Sequence, residues 1–145
     1  MLKHILLPTD GSELSLRAAD MGIALAASLG ARVFVFHVMK PFATVAYFAD
    51  RLLSPEEAYN KKAAEHANSY LEDISQRARA ANVPCEGSYE FDHRPYCAII
   101  GVAAKHQCDL IIMGSYGRRG IDRLVPGGET HKVILNSNVP VLVCR

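Results

Sequence analysis

The chain has 145 residues, half of them hydrophobic, which is enough for one domain around a single core and short for two. Its 16 basic and 15 acidic side chains nearly cancel, so bulk attraction to nucleic acid or to an anionic membrane is not expected and any anion site must be local. Cys85, Cys97, Cys108 and Cys144 are widely spaced with no CxxC pair, which argues against a disulfide framework or a cysteine metal site and for reduced thiols.

The opening MLKHILLPTDG has only a short apolar run, broken by Pro8 and Asp10, and does not fit a signal peptide. With no transmembrane stretch to follow it, a cytoplasmic location is expected. KHILLPT reads as a strand covered on both faces. Ser12 then caps a helix in which Leu14, Ala18, Met21, Leu25 and Leu29 recur at helical spacing, and Gly30 stops it. RVFVFHV completes a βαβ unit. Met39 to Leu53 shows no clear period over about fifteen residues, long for a connection and therefore a candidate functional segment.

Ser54-Pro55-Glu56-Glu57 is a helix start: the hydroxyl caps, proline takes the first helical position and Glu57 completes a capping box. Ala63, Ala67, Tyr70, Leu71, Ile74 and Ala78 then face inward up to Asn82-Val83-Pro84. Cys85 to Phe91 alternates and reads as a strand near a sheet edge. Pro95 opens the helix PYCAIIGVAAKH. DLIIMGS and VPVLVCR are again continuous apolar strands, with the helix GGETHKVILN between them. Strands alternating with helices predict a doubly wound α/β domain over residues 1–145, with a parallel sheet and helices on both faces.

In such a sheet ligands bind beyond the C-terminal strand ends, where the strand order reverses. The loops to consider are therefore PTDGS, HVMK, FDHRP and GSYGRRG. Gly114 and Gly117 open a turn after a buried strand, and Gly127 and Gly128 start the last helix, whose unpaired N–H groups favour an anion. Arg118 and Arg119 make phosphate the natural anion, although a long glycine loop alone is an equally good account. No GxxxxGK(S/T) or GxGxxG pattern is present.

Asp10 is suited to a ribose or to a metal held through water, although taken by itself the better account is that Asp10 or Ser12 caps the first helix. His37 reads as a hydrogen-bonded histidine at a strand end. His4, His66, His106 and His131 are scattered over helix surfaces and strand edges without metal-ligand spacing. His93 and Arg94 fall on a solvated loop. No GxSxG elbow supports Ser12, Ser115 or Thr130 as a nucleophile, and no catalytic residue is assigned.

These residues together resemble the universal stress protein family along the whole chain: HILLPTDGS at the start, VFVFHV in the second strand, Gly114, Gly117 and Gly127 at the intervals of GxxGx9G(S/T), and the closing VPVLVCR. The resemblance implies a five-stranded parallel sheet of order 3-2-1-4-5, adenine nucleotide alpha hydrolase-like, in a cytoplasmic stress-response homodimer. That dimer would pair Val139 to Cys144 across a two-fold axis. It further implies a site for ATP, or for AMP or ADP, with or without Mg2+. Adenine and ribose would lie near Pro8, Thr9, Asp10, Val38, Met113 and Gly114. The phosphates would lie against Gly117, Arg118, Gly127, Gly128, Glu129 and Thr130. A protein partner of unknown identity is expected; nucleic acid and membrane are not.

One departure matters. Where the family has Ser or Thr after the third glycine, this chain has Gly128 and then Glu129. The lost hydroxyl would cost on the order of 1.5 to 3 kcal/mol, and a carboxylate facing phosphate would repel it. Adenine-nucleotide binding by a regulatory protein is the leading expectation. The alternatives are slow ATP hydrolysis or self-phosphorylation, and an interaction module that no longer binds nucleotide.

Overall fold

A computed structural model of the chain describes residues 1–48, 55–115 and 128–145. In chain order the elements are β1 (His4–Pro8), α1 (Glu13–Leu29), β2 (Arg32–Met39), α2 (Phe42–Phe48), α3 (Glu56–Ala80), β3 (Cys85–Phe91), α4 (Pro95–Lys105), β4 (Leu110–Gly114), α5 (Gly128–Asn136) and β5 (Val141–Cys144). The five strands form one parallel sheet in the order β3-β2-β1-β4-β5. The doubly wound fold expected from the sequence is the one observed.

Strand alternation divides the core between the two faces of the sheet. Ile5, Leu7, Val33, Val35, Leu110 and Ile112 pack under α1 and α3, against Ala18, Ile23, Ala26, Ile74 and Ala78. Leu6, Phe34, Phe36, Ile111 and Met113 pack on the other face, against Ala98, Ile99 and Val102 of α4 and Val133 of α5. The central strand β1 is buried at every residue, as a strand covered on both faces must be.

Local signals behave as their chemistry requires in α1: Ser12 Oγ accepts the Ser15 N–H, and Gly30 closes the helix in the left-handed conformation at φ 65°. The buried face is turned relative to the apolar spacing in the sequence. It consists of Ser15, Ala18, Ala19, Gly22, Ile23 and Ala26, while Met21 and Leu29 are exposed. Small residues decide this, because they let the helix lie close on the sheet; a Cβ at Gly22 would collide with Leu7 Cδ2.

Other expectations are corrected. Phe42–Phe48 forms α2 within the stretch that shows no period; residues 49–53 of that stretch lie outside the described residues, together with the Ser54 cap. Pro55 is the N-cap of α3 and Glu56 begins the helix, one position later than the sequence suggests. β5 is half-exposed despite its apolar sequence, because it forms one edge of the sheet and has a neighbour on one side only. β3 forms the other edge, as its alternation suggests.

His4 belongs neither to a helix surface nor to a strand edge. It is buried on β1, with Nδ1 2.9 Å from His106 O, and burial lowers its pKa below the ordinary 6.5.

Candidate functional site

The order β3-β2-β1-β4-β5 reverses between β1 and β4, which places a crevice beyond the C-terminal ends of these two strands. Three segments meet there: Thr9 to Ser12 after β1, Gly114 and Ser115 after β4, and the start of α5.

The β1–α1 turn is held from within. Thr9 N–H donates to Phe36 O at 2.8 Å. Thr9 Oγ1 lies 3.0 Å from Ser15 Oγ and accepts the Gly11 N–H at 3.2 Å. Asp10 Oδ1 accepts the Ser12 N–H at 2.9 Å, and Ser15 Oγ donates to Ser12 O at 2.8 Å. Asp10 and Ser12 therefore both take part in starting the helix, as the structural account of these residues requires.

Two further side chains hold the turn from outside. His37 Nδ1 lies 2.7 Å from Thr9 O, the strand-end hydrogen bond expected of it. Tyr70 of α3 is edge-on to His37, with ring centroids 5.2 Å apart. Its ring lies over Gly11, where φ is +78° and a Cβ would run into the aromatic carbons. This position requires glycine twice, once for its backbone and once for the ring above it.

On the opposite wall Gly114 lies close to Leu14, whose Cγ would be 3.1 Å from an added Cβ. Thr130 Oγ1 donates to Gly114 O at 2.9 Å and ties the start of α5 to the end of β4. Ser115 N–H donates to Cys144 O at 2.8 Å. Ser115 is 2% exposed, and its hydroxyl has no hydrogen-bond partner among the described residues. A buried hydroxyl just beyond the end of β4, without a partner among the described residues, suits a polar ligand.

The structure answers the question raised by Glu129. Its Oε2 accepts the Tyr96 N–H at 2.9 Å, at the N-terminus of α4, and its Oε1 lies 3.6 Å from Lys132 Nζ. The carboxylate is directed to a neighbouring helix and is partly neutralised there. A Cβ at Gly128 would meet none of the described residues within 4 Å.

Of the residues singled out from the sequence, Pro8, Thr9 and Asp10 end β1 or follow it, and Met113 and Gly114 end β4. Gly128, Glu129 and Thr130 open α5, and Val38 lies near the end of β2, packed with the α4-side core. Gly117, Arg118 and Gly127 lie outside the described residues. Sequence reasoning missed Ser15, Tyr70 as the cover of Gly11, and the Glu129–Tyr96 bond. Ser15 alone carried a signal, as a hydroxyl one turn into a helix on its otherwise apolar face. Among the described residues, no three His, Cys, Asp or Glu side chains are grouped to hold a metal ion, and no helix is long and apolar enough to cross a membrane.

Fold and strand order define a doubly wound α/β protein with a crevice at the topological switch point, the place where open parallel sheets take up ligands. The sequence profile of the universal stress protein family matches residues 1–145, and the chain belongs to that family. It is 36% identical over 148 residues to a universal stress protein of Thermus aquaticus, covering 100% of both chains. Among solved structures it is similar to a Methanocaldococcus jannaschii protein used as a test case for structure-based assignment of biochemical function. The TM-score is 0.83 at 29% identity, over 99% of this chain and 96% of the other. The universal stress protein of Archaeoglobus fulgidus in complex with dAMP shares the fold, with TM-score 0.67 at 18% identity over 100% and 98% of the two chains.

Proposed function

We propose that the chain binds an adenine nucleotide, ATP in the first place, in the crevice between β1 and β4 and acts as a regulatory protein without catalysing a reaction. The single observation that carries this reading is the placement of Glu129. With its carboxylate bonded to Tyr96 N–H, the acidic residue that follows the glycine motif does not oppose phosphates at the start of α5. The Ser115 hydroxyl and Gly128, which among the described residues have no hydrogen-bond partner and no atom in the way of a Cβ respectively, support the same reading, as does the nucleotide bound by the Archaeoglobus relative.

In this reading Pro8, Thr9, Asp10, Val38, Met113 and Gly114 surround the nucleoside. Gly117, Arg118, Gly127, Gly128, Glu129 and Thr130 form the phosphate end, with Glu129 contributing backbone only. Bound nucleotide adds charge and a rigid template at the crevice, and the surface changed in this way is what a protein partner reads. Mg2+ accompanies the phosphates as a counter-ion. The site acts as one unit over residues 1–145, in the cytoplasm.

We further propose a homodimer formed by β5. Its edge would otherwise present unpaired backbone groups, Leu142 is 36% exposed on it, and Met21 stands exposed beside Cys144, the two sulfurs 3.6 Å apart.

Isothermal titration with ATP, ADP and AMP, each with and without Mg2+, tests the nucleotide. Saturable 1:1 heat for at least one of them is expected, and no heat together with no rise in melting temperature overturns the reading. Phosphate release above a protein-free blank would replace it with the hydrolytic alternative. Light scattering tests the dimer: twice the chain mass is expected, with dissociation in Leu142→Lys.

A further inference from the structure

Among the described residues, the edge strand β3 pairs through one side of its backbone only. Val33 N–H donates to Pro84 O and Asp92 N–H to Met39 O, each at 2.9 Å. With the register running from Val33↔Cys85 to Met39↔Phe91, the even-numbered backbone groups of β3 face β2. The N–H and C=O groups of Cys85, Gly87, Tyr89 and Phe91 therefore point outward, and no described residue pairs with them.

Both faces of this edge are shaped. On the α3 side Cys85 joins the core, and Gly87 lies where a Cβ would come 3.0 Å from Val35 O. The missing side chain leaves a groove of about 340 Å³, lined in part by Asn68, Leu71, Glu72 and Ser75 of α3. On the other side Glu86 and Glu90, both exposed, project from alternate positions flanking Ser88. Glu72 bonds Gln76 Nε2, but among the described residues none of these three carboxylates has a cation within ion-pair distance.

We propose that the β3 edge takes up an extended protein segment by strand addition, and that this segment carries Lys or Arg at alternate positions. Backbone hydrogen bonds to the four outward residues supply the pairing. Basic side chains on one face of the added strand meet Glu86 and Glu90 across the new pair, and a small side chain on its other face enters the groove beside Glu72. A second copy of β3 fits poorly, since it would bring Glu86 and Glu90 against their own kind. A polyanion is repelled. The surface is separate from the β1–β4 crevice and does not depend on nucleotide.

The test uses the full chain and two fluorescently labelled peptides of equal charge, one alternating (Lys-Thr-Lys-Thr-Lys-Thr-Lys) and one blocked (Lys-Lys-Lys-Lys-Thr-Thr-Thr). Anisotropy is read at low and physiological salt. The alternating peptide should bind about tenfold more tightly than the blocked one, and Glu86→Lys/Glu90→Lys should weaken it by about tenfold or more. These two positions face solvent, so the double variant should melt as the parent does. Tyr89→Pro removes an outward N–H and keeps every bond to β2, and should also abolish binding; if it does not fold, the double variant decides. Equal binding of the two peptides, or an unchanged double variant, overturns the proposal. Self-association of the parent that Glu86→Lys/Glu90→Lys abolishes would assign the edge to a second copy and overturn it equally.

Discussion

The Glu129 carboxylate accepts the backbone N–H of Tyr96 at 2.9 Å, so an acidic side chain at the start of α5 serves as the N-terminal cap of α4. α4 needs one: its own cap residue, Arg94, makes no side-chain capping bond, and Pro95 has no N–H. Lys132 completes the junction, 3.6 Å from Glu129 Oε1 and 5.5 Å from the centroid of the Tyr96 ring. Together with Thr130 on Gly114 O, this fixes where the chain leaves the glycine loop.

Glu129→Ala should therefore destabilise the protein by about 1 to 2 kcal/mol, and Glu129→Gln, which keeps an acceptor, by about half as much. Urea denaturation measures both. Nucleotide affinity of Glu129→Gln should stay within about threefold of the parent. A gain beyond tenfold would mean that the carboxylate opposes the phosphates after all.

Gly128→Ser supplies the hydroxyl that the family motif carries at this position, where a Cβ meets none of the described residues within 4 Å. At a helix N-terminus a serine is also the better residue to meet an anion. The variant should bind ATP about tenfold more tightly, with stability unchanged within about 0.5 kcal/mol. Titration of ATP against AMP locates the gain: it belongs to the triphosphate if the two affinities separate further than in the parent.

Gly11→Ala combines a left-handed backbone, φ +78°, with a collision against the Tyr70 ring. The backbone contributes about 1 kcal/mol and the displaced ring about 1 to 3 more. Tyr70→Ala in the same chain should remove the second part and leave the first, giving a coupling energy of at least about 1 kcal/mol in a double-mutant cycle. Additive losses would show that the ring does not rest on this turn.

The fold was legible because its signals are local. Strand apolarity, Ser12 and Gly30 at the ends of α1 and the inward row of α3 each depend on neighbours a few residues away. The face of α1 was read wrongly because large apolar side chains dominate a periodicity count, whereas close helix–sheet contact selects Ala and Gly. The site was legible as a set of loops, since sheet topology alone brings Asp10, Gly114 and Gly128 to one end. The partners of Glu129 and Gly11 were not, because Tyr96 and Tyr70 lie on other helices, and such separations carry no sequence period.

Cys108 offers a test of core integrity. The thiol is 4% exposed, and burial, aided by the nearby Asp109 charge, pushes its pKa up to about 11. At pH 8 it is almost wholly the unreactive thiol. N-Ethylmaleimide should leave Cys108 unlabelled in the native protein and label it readily in urea. Its native-state rate, read by mass spectrometry, should fall in proportion to the unfolded population. Rapid native labelling would place the segment after α4 outside the core.

His4 makes stability depend on pH, and the sign follows from its burial. Loss of hydration is the largest influence and lowers the folded-state pKa below 6.5; the bond to His106 O opposes it, and Arg32 and His106 add to the lowering. Phe34 lies edge-on to the ring, and Asp109, whose carboxylate already accepts the N–H groups of Lys3 and His4, offsets the effect only in part. Below pH 6.5 the unfolded chain therefore takes up this proton more readily than the folded one. The stability linked to His4 is complete above that pH and is lost as the pH falls towards the folded-state value. His4→Gln removes the titration. It should lie below the parent in stability at pH 8, and the gap should narrow between pH 7 and pH 5.5 in parallel urea titrations. A gap independent of pH would show that the imidazole is equally hydrated in the two states, and a widening gap would show that the fold favours the charged ring.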